Sequence, residues 1–420
     1  MTKTLRAALI AVPLCLMLLA CAGPGPGTGT GQSPASTPRP AAEAAPPRPQ
    51  TIGEQREAVL FWSQAQREAG FRQMQLQFPS DVAAASTANI RELPAGVPLP
   101  GLAGDPDWLD AYMDSHDIAG LMVLHQGRLR LHRHGLGMKP TDRWESFSVA
   151  KSVTSTLLGI ALRQGHIKSL DDLLVRYLPE LEGSAYDQVS VRQLLTMTSG
   201  VRWNEDYTDP QSDVAQMYLG RCVDGQAHAL AYLRTLPRAH PPGTRWTYNT
   251  AETDLLGLVV ERATGQRLAH YLSQTIWQPY GMAADAYWIR DECDGSNTGG
   301  SGLSATLADY ARLGQFMLEG GVIDGEPVIA ADWMAGAVRD QDADNAPERG
   351  YGYQWWTDTG GAYLAAGIFG QMLLVDPQHE LVIVQLAAWP QATSRELVTA
   401  RRGLVEAVRR AVAERPAGAD

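Results

Sequence analysis

The stretch FSVAKSVTSTLLGIAL, residues 147–162, has the most informative residue spacing in the chain. It puts Ser148 and Lys151 three residues apart at the start of an apolar helical run, so their side chains share one helix face. Burial there would lower the pKa of the lysine, and the helix start would stabilise negative charge on the serine oxygen. The pair predicts a serine nucleophile with a lysine base. The alternative is a helix-capping serine followed by a solvated lysine.

Two strand pairs flank this stretch, near opposite ends of the chain. Residues 120–136 contain the runs LMVLH and RLRLHRH around Gln126-Gly127, and residues 371–389 place Asp376-Pro377 between two apolar runs. Helices are expected at 55–77 (one, or two short ones), 149–164, 191–197, 252–264, 268–276, 307–318 and 394–413. This order predicts an α/β (α+β) fold in which an antiparallel sheet, built from both chain ends, is flanked by terminal helices and joined to an all-helical region.

Composition and motif searches exclude several classes of function. The chain has 420 residues, 35 Lys plus Arg against 46 Asp plus Glu, and a net charge of -11, so it lacks the basic surface that nucleic-acid binding needs. Its histidines show no metal-ligand spacing, and the glycines of GGSGLS, residues 299–304, predict a plain turn rather than a phosphate loop. We therefore expect no metal, no cofactor and no nucleic acid, and we predict no particular oligomeric state.

The first 50 residues are predicted to be a signal and a tether. Lys3 and Arg6 precede an apolar run over 7–20 that is too short to span a bilayer and ends Leu-Leu-Ala before Cys21. This end resembles a bacterial lipobox, which implies a signal peptide over 1–20, lipid attachment at Cys21 and a membrane-anchored place in the cell envelope. An ordinary secretory signal is the alternative. Residues 21–50 are rich in Gly and Pro and predict a disordered tether before one domain at 51–420.

Two cysteines remain in the mature chain after this processing. Cys15 leaves with the signal, so Cys222 and Cys293 are the candidates for pairing. In an oxidising envelope they could form a disulfide, and the alternative is two separately buried thiols.

Two further motifs give the Ser148 stretch a context. They are VSVRQLLTMTSGV, residues 189–201, and PPGTRWTYNTAETDLLGLVVE, residues 241–261. Together the three resemble the penicillin-recognising serine hydrolase superfamily, in its class C β-lactamase-like branch of esterases and amidases, which includes the nylon-oligomer (6-aminohexanoate-dimer) hydrolases. The resemblance runs from about residue 62 to residue 410. The Gly-x-Ser-x-Gly elbow of the α/β-hydrolases is absent from the chain.

The resemblance implies roles for individual residues. Ser148 matches the acylated nucleophile, Lys151 the general base, and Tyr248 the catalytic tyrosine, whose ionised form the lysine would stabilise. The third family motif matches Ala-Ala-Gly at 365–367, so the backbone N–H of Ile368 would complete an oxyanion hole with that of Ser148. The resemblance also implies three substrate-binding positions: Tyr207, Thr250 and Gly367.

The chain departs from the family pattern at two positions. Thr250 stands where the tyrosine motif usually has asparagine, and Ala365 stands where lactam-binding members have a lysine that pairs with the substrate carboxylate. No cation nearby in sequence replaces that lysine, so we expect weak recognition of penicillins.

Two groups of side chains keep alternative interpretations. Four loop acids could attract a substrate amine or be solvated: Glu205, Asp206, Asp209 and Asp213. Trp355 and Trp356 could line the pocket or the core.

The sequence therefore predicts a serine hydrolase that cleaves a small-molecule linear amide or carboxylic ester through an acyl-Ser148 intermediate. One alternative is a D-Ala-D-Ala peptidase or weak β-lactamase of the cell envelope. A noncatalytic envelope sensor that binds a ligand is the other.

Overall fold

The structure, a computed structural model, describes Gln55 and residues 58–414. Within the second range it leaves out residues 100–101, 103–104, 106, 220–224, 226–227 and 342. The predicted signal peptide, the lipidated Cys21, the tether and Cys222 lie outside the described residues. In the described ranges, no helix has both the length and the apolar character needed to cross a membrane.

The strands form three antiparallel sheets. The large sheet contains β2 (Ile118–His125), β3 (Arg128–His134), β9 (Trp356–Thr357), β10 (Tyr363–Gly367), β11 (Gln371–Asp376) and β12 (Leu381–Ala387). The second sheet contains β1 (Ser80–Ala83), β4 (Trp144–Glu145), β5 (Ala286–Ile289) and β6 (Leu303–Ala305), and the third contains β7 (Val322–Ile323) and β8 (Glu326–Pro327). The strand order is β3-β2-β12-β11-β10-β9 in the large sheet and β1-β5-β6-β4 in the second.

Helices occupy the intervals between these strands. The α-helices are Gln64–Gly70, Met74–Gln77, Trp108–Ser115, Val149–Arg163, Val191–Leu195, Asp213–Gln216, His228–Leu233, Thr250–Thr264, Leu268–Leu272, Leu307–Leu318, Ala331–Ala337 and Arg395–Glu414. Single turns of other helix types are Val59–Phe61, Leu174–Arg176, Pro179–Leu181, Ser273–Trp277, Thr359–Gly361, Ile368–Gly370 and Pro377–His379. Every helix predicted from the sequence is present, and the 55–77 region holds two short ones.

The large sheet joins the two ends of the chain. Gln126 and Gly127 have φ of 52° and 69°, as the two-residue turn between β2 and β3 requires. β2 then pairs with β12, with Val123 opposite Ile383. The predicted antiparallel sheet built from distant segments is confirmed.

Helices cover both faces of the large sheet, which explains why its central strands β2, β11 and β12 are buried along their whole length and mainly apolar rather than alternating. One face packs on Trp108–Ser115 and Arg395–Glu414, and the other packs on Val149–Arg163 and Leu307–Leu318. The helix Val149–Arg163 also contacts Thr250–Thr264. Its first turn therefore lies where the sheet meets the helical region.

Candidate active site

Ser148 follows a tight turn between β4 and the helix Val149–Arg163. The preceding residue, Phe147, has φ of 46°, a left-handed conformation that is uncommon for a non-glycine residue. The Glu145 carboxylate holds this turn, because its Oε1 accepts from the backbone N–H groups of Phe147 and Gly302, both at 2.9 Å. The turn puts Ser148, which is 9% exposed, on the wall of two cavities.

Lys151 is buried one turn along the same helix. It is 1% exposed, and its Nζ donates to Ser148 Oγ at 3.0 Å and to the Gly300 carbonyl oxygen at 2.8 Å. Burial lowers the pKa of Lys151 to about 8, although the carboxylates of Glu205 and Asp254 oppose that shift. The lysine is therefore not solvated, and it can accept the serine proton near neutral pH.

Tyr248 approaches this pair from the helical region. Lys151 Nζ lies 5.3 Å from the centroid of the tyrosine ring, which stacks on Trp356 with 5.8 Å between centroids. Burial raises the pKa of Tyr248, the Glu205 carboxylate raises it further, and the Ser148 hydroxyl offsets part of the rise. The raised pKa keeps the phenol protonated in the resting site. Tyr248 can thus supply a proton, while Lys151 accepts one.

Glu205 ties the loop that carries Tyr207 to the helix Thr250–Thr264. Its carboxylate accepts from the Tyr207 hydroxyl at 2.8 Å and from the Thr250 backbone N–H at 3.0 Å. It also accepts from the Thr250 hydroxyl and the Trp203 indole. A carboxylate is stabilised at a helix start by such N–H groups and by the helix dipole. Tyr207 and Thr250 both line a cavity beside Ser148, and Glu205 fixes their positions.

The other acids of this loop have different environments. Asp213 is 4% exposed and accepts from the Tyr232 hydroxyl at 2.6 Å. Asp209 is half-buried and accepts from the backbone N–H of Gln211 at 2.8 Å, whereas Asp206 is exposed. A solvated role therefore fits Asp206 but not Glu205. The sequence analysis named Glu205 among these acids but did not predict that it anchors Tyr207 and Thr250; its position two residues before Tyr207 was the available signal.

The strand β10 passes close to the turn that carries the nucleophile. A Cβ on Gly367 would lie 2.5 Å from the Ser146 carbonyl oxygen, so only glycine permits this approach. Within the part of the chain that the structure describes, the backbone N–H groups of Ser148 and Ile368 have no protein acceptor. Both residues line the same two cavities, so both donors are available to a substrate oxygen.

The GGSGLS segment also belongs to the site, although a plain turn was expected there. The Gly300 carbonyl accepts from Lys151 at 2.8 Å, and the Gly300 N–H donates to the Asp254 carboxylate at 2.8 Å. This segment therefore links the lysine to a buried acid. The glycine pattern gave no hint of the role, because the contact depends on the fold.

Comparisons with known proteins agree with this geometry. The family model described as Beta-lactamase matches residues 106–407. The chain belongs to the beta-lactamase family.

Its relatives in this family are named as amide and ester hydrolases. The chain is 34% identical over 308 residues to the 6-aminohexanoate-dimer hydrolase of Paenarthrobacter ureafaciens, covering 69% of this chain and 78% of that one. It is 32% identical over 156 residues to esterase EstB of Burkholderia gladioli, covering 35% of this chain and 39% of the esterase. A Bacillus anthracis structure, provisionally named a 6-aminohexanoate-dimer hydrolase, superposes with a TM-score of 0.73 at 22% identity, covering 83% of this chain and 95% of that one.

Two cavities of this beta-lactamase-family site meet at Ser148. The first is mainly apolar, with side chains that include Val59, Leu60, Met74, Phe78, Val214 and Ile289. The second is lined by Tyr248, Trp356 and Gly367, and one wall carries three arginines, Arg349, Arg401 and Arg402, which we call the arginine wall. Of the two neighbouring tryptophans, Trp356 lines this cavity and Trp355 is 2% exposed in the core.

The arginine wall lies near the position of the missing family lysine only through the fold. Ala365, where lactam-binding members of the family have a lysine, is 1% exposed and lines neither cavity at Ser148. The sequence shows no replacement cation close to this position. The fold nevertheless brings Arg349 and two arginines of the helix Arg395–Glu414 to the cavity that holds Ser148 and Gly367.

Two further expectations concern cysteines and metals. Cys293 is disulfide-bonded, and its predicted partner Cys222 lies outside the described residues. Among the residues that the structure describes, no group of three or more His, Cys, Asp and Glu side chains could hold a metal ion.

Proposed function

We propose that this protein is a serine hydrolase that cleaves a linear amide or a carboxylic ester through an acyl-Ser148 intermediate. The observation that carries the proposal is the 3.0 Å contact between Lys151 Nζ and Ser148 Oγ, in a site where burial lowers the lysine pKa to about 8. The family's hydrolases, named for both amides and esters, support the same reaction class.

Acylation uses the side chains of Lys151, Ser148 and Tyr248 one after another. Neutral Lys151 takes the proton of Ser148 as its Oγ attacks the substrate carbonyl carbon. The oxyanion that forms accepts from the backbone N–H groups of Ser148 and Ile368. The neutral phenol of Tyr248 protonates the leaving nitrogen or oxygen as the scissile bond breaks, and Lys151 returns its proton to the phenol.

Deacylation reverses these roles with water as the nucleophile. The Lys151–Tyr248 pair accepts a proton from water as the water oxygen attacks the acyl carbon. Ser148 Oγ then leaves and regains its proton from Lys151, so the acid product departs and the resting site returns. The loop held by Glu205 positions Tyr207 and Thr250 beside the reacting carbon.

We also propose that the mature protein is a lipoprotein of the bacterial cell envelope, anchored through Cys21. The support is the charged start, short apolar run and small residue before Cys21 in the sequence. Mass analysis of protein from a bacterial membrane fraction would test this anchor. We expect cleavage before Cys21 and a mass increment for two acyl groups on that residue. An unmodified Cys21 on a released chain would refute the anchor.

A D-Ala-D-Ala peptidase or weak β-lactamase is the second candidate. The arginine wall favours it, since both kinds of substrate carry a carboxylate that guanidinium groups can bind. The absent third-motif lysine weighs against efficient turnover of either. Penicillin labelling of Ser148 would support this candidate.

A substrate panel separates these functions. Wild type, Ser148→Ala and the control Ser155→Ala receive p-nitrophenyl esters, a chromogenic cephalosporin and the linear 6-aminohexanoate dimer. Ser155 lies on the same helix and donates to the Tyr353 carbonyl at 2.7 Å. We expect hydrolysis and a fluorophosphonate adduct mapped to Ser148 in wild type and Ser155→Ala, with neither in Ser148→Ala. A folded wild type that forms no adduct would support the noncatalytic sensor instead.

A further inference from the structure

The turn between β10 and β11 carries one of the two backbone donors that are available to a substrate oxygen. It consists of Ile368–Gly370 and begins with Ile368, whose N–H is that donor at the cavities beside Ser148. Phe369, in the middle of the turn, has φ of 58°, a left-handed conformation that persists in a non-glycine residue only where its surroundings hold it. The contacts that hold this turn therefore also set the direction of the Ile368 N–H.

Gln371 supplies several of these contacts with one side-chain amide. It is the first residue of β11, lies opposite Gly367 and is fully buried. Its Nε2 donates to the carbonyl oxygens of Ile368 and Phe369, both at 3.1 Å. The same Nε2 donates to the Ala387 carbonyl at 2.8 Å, and Oε1 accepts from the Ala387 N–H at 3.0 Å. The amide therefore ties the turn to the end of β12.

The contacts at this position require an amide. The backbone ladder between β11 and β12 ends at Met372 opposite Gln385, and beyond that pair the Gln371 side chain bonds to the backbone of Ala387. A primary amide has an oxygen acceptor and two N–H donors, so it can replace a peptide group in the ladder and also donate to the turn. An ionised carboxylate has no donor, and an aliphatic side chain would remove a partner from the Ile368 carbonyl.

A second buried glutamine, Gln385, holds the other end of the turn. Its Nε2 donates to the Gly370 carbonyl at 2.8 Å, and its Oε1 accepts from the Tyr112 hydroxyl at 2.7 Å. The two glutamines are equally buried, each with an exposed fraction of 0%. They differ in what they hold, because Gln371 bonds to the residue that carries the oxyanion donor and Gln385 bonds to the residue two positions later.

We propose that Gln371 is a positioning residue for the oxyanion hole: its amide holds Ile368 so that the backbone N–H points at the substrate oxygen. The inference rests on the proposed hydrolase function and assigns the support of its oxyanion hole. Gln371 itself touches no substrate, since it lines neither cavity at Ser148. The Glu145 carboxylate supports the other side of the hole, because it accepts from an N–H of the turn that carries the nucleophile. Loss of the Gln371 amide should weaken one donor and leave the proton-transfer groups in place.

A p-nitrophenyl ester and its thionoester, in which sulfur replaces the carbonyl oxygen, test this role. Sulfur is larger than oxygen and accepts hydrogen bonds weakly, so an intact oxyanion hole favours the oxygen substrate. The intrinsic reactivities of the two substrates cancel when their ratio of kcat/KM is compared between variants. In Gln371→Met we expect kcat/KM to fall about 10- to 100-fold for the ester and at most about threefold for the thionoester, so the ratio falls severalfold or more.

Gln385→Met is the matched control, because it removes an equally buried amide from the same turn without removing a contact of Ile368. It should lose stability but keep the wild-type ratio. Gln371→Asn keeps a buried amide that is one methylene too short to reach the turn and Ala387 together, and it should also lower the ratio. Thermal unfolding identifies the folded variants, and Gln371→Asn supplies the result if Gln371→Met is not folded.

An unchanged ratio in a folded Gln371 variant would overturn the proposal. An equal fall in Gln385→Met would overturn it too, since a general loss of order in the hairpin would then explain the effect. Failure of the hydrolase function gives a different result, in which wild type turns over neither substrate in a Ser148-dependent way.

Discussion

Two buried cations line the active-site region, and their surroundings differ. Lys151 has two acceptors, Ser148 Oγ and the Gly300 carbonyl, and the carboxylates of Glu205 and Asp254 support its charge. Arg401 has one carbonyl acceptor at 3.3 Å and two arginines as its charged neighbours.

These surroundings determine which cation can react and which can only bind. A lysine whose pKa is lowered to about 8 exchanges its proton near neutral pH. An arginine whose pKa is about 10 keeps its proton there, so it acts as a fixed charge. The first arrangement suits catalysis, and the second suits recognition of an anion.

Replacing the lysine by a permanent cation gives the largest expected effect. Lys151→Arg keeps the charge beside Ser148 but removes the base, since a guanidinium stays protonated. We expect kcat/KM for a p-nitrophenyl ester to fall about 10²- to 10⁴-fold. Lys168→Arg, at an exposed lysine, is the control and should match wild type. If Lys151→Arg keeps more than about a tenth of the activity, positive charge rather than proton transfer is what Lys151 provides.

The pH profile gives the next largest effect. Because the base must be neutral, activity should be full above the lysine pKa and fall as pH drops through about 8. Two pH units below that value the neutral fraction is about 1%, so kcat/KM should be about 100-fold lower. A flat profile across this range would contradict a lysine base.

Three carboxamide variants identify the source of this acidic limb. The Glu205 carboxylate raises the pKa of Lys151, so Glu205→Gln should move the limb to lower pH, while Asp206→Asn in the same loop should leave it in place. Glu252 is buried with its own pKa raised to about 8, so it titrates in the same range. The Glu252→Gln variant should keep the fall in activity at low pH. If that fall disappears in Glu252→Gln, the titrating group is Glu252 rather than Lys151.

The parts of the fold that could be predicted depend on local pattern. The apolar runs around Gln126-Gly127 and around Asp376-Pro377 are long enough to identify both hairpins of the large sheet. The second sheet was not predicted, because its strands hold only two to four residues and pair across long stretches of chain, as β4 does with β6. Short strands carry too little periodicity to be recognised.

The same distinction holds within the site. The spacing of Ser148 and Lys151 is a helical repeat, so sequence places the two side chains together. The anchoring role of Glu205 and the arginine wall were not predicted, because they depend on how a loop folds onto a helix start and how the last helix packs on the sheet. Sequence neighbours show only that no nearby cation replaces the family lysine, and they could not show that arginines from distant segments line the same cavity as Ser148.

Stability measurements give the smallest expected effect and bear directly on the unpaired arginine. Arg401→Met replaces a buried cation without an acidic partner by an apolar chain of similar length, and we expect unfolding to become harder by about 1–2 kcal/mol. Arg67 is the matched control: it is also 7% exposed, but its Nη2 donates to Gln64 Oε1 and to the Pro390 carbonyl, both at 2.9 Å.

Arg67→Met should therefore lose stability by about 1–3 kcal/mol, because it leaves those acceptors without a donor. Urea unfolding of both variants measures the contrast. If Arg401 is costly to bury, the protein should gain stability when Arg401 is replaced by an apolar side chain. Loss of stability in Arg401→Met, comparable to that in Arg67→Met, would instead make Arg401 a structural residue.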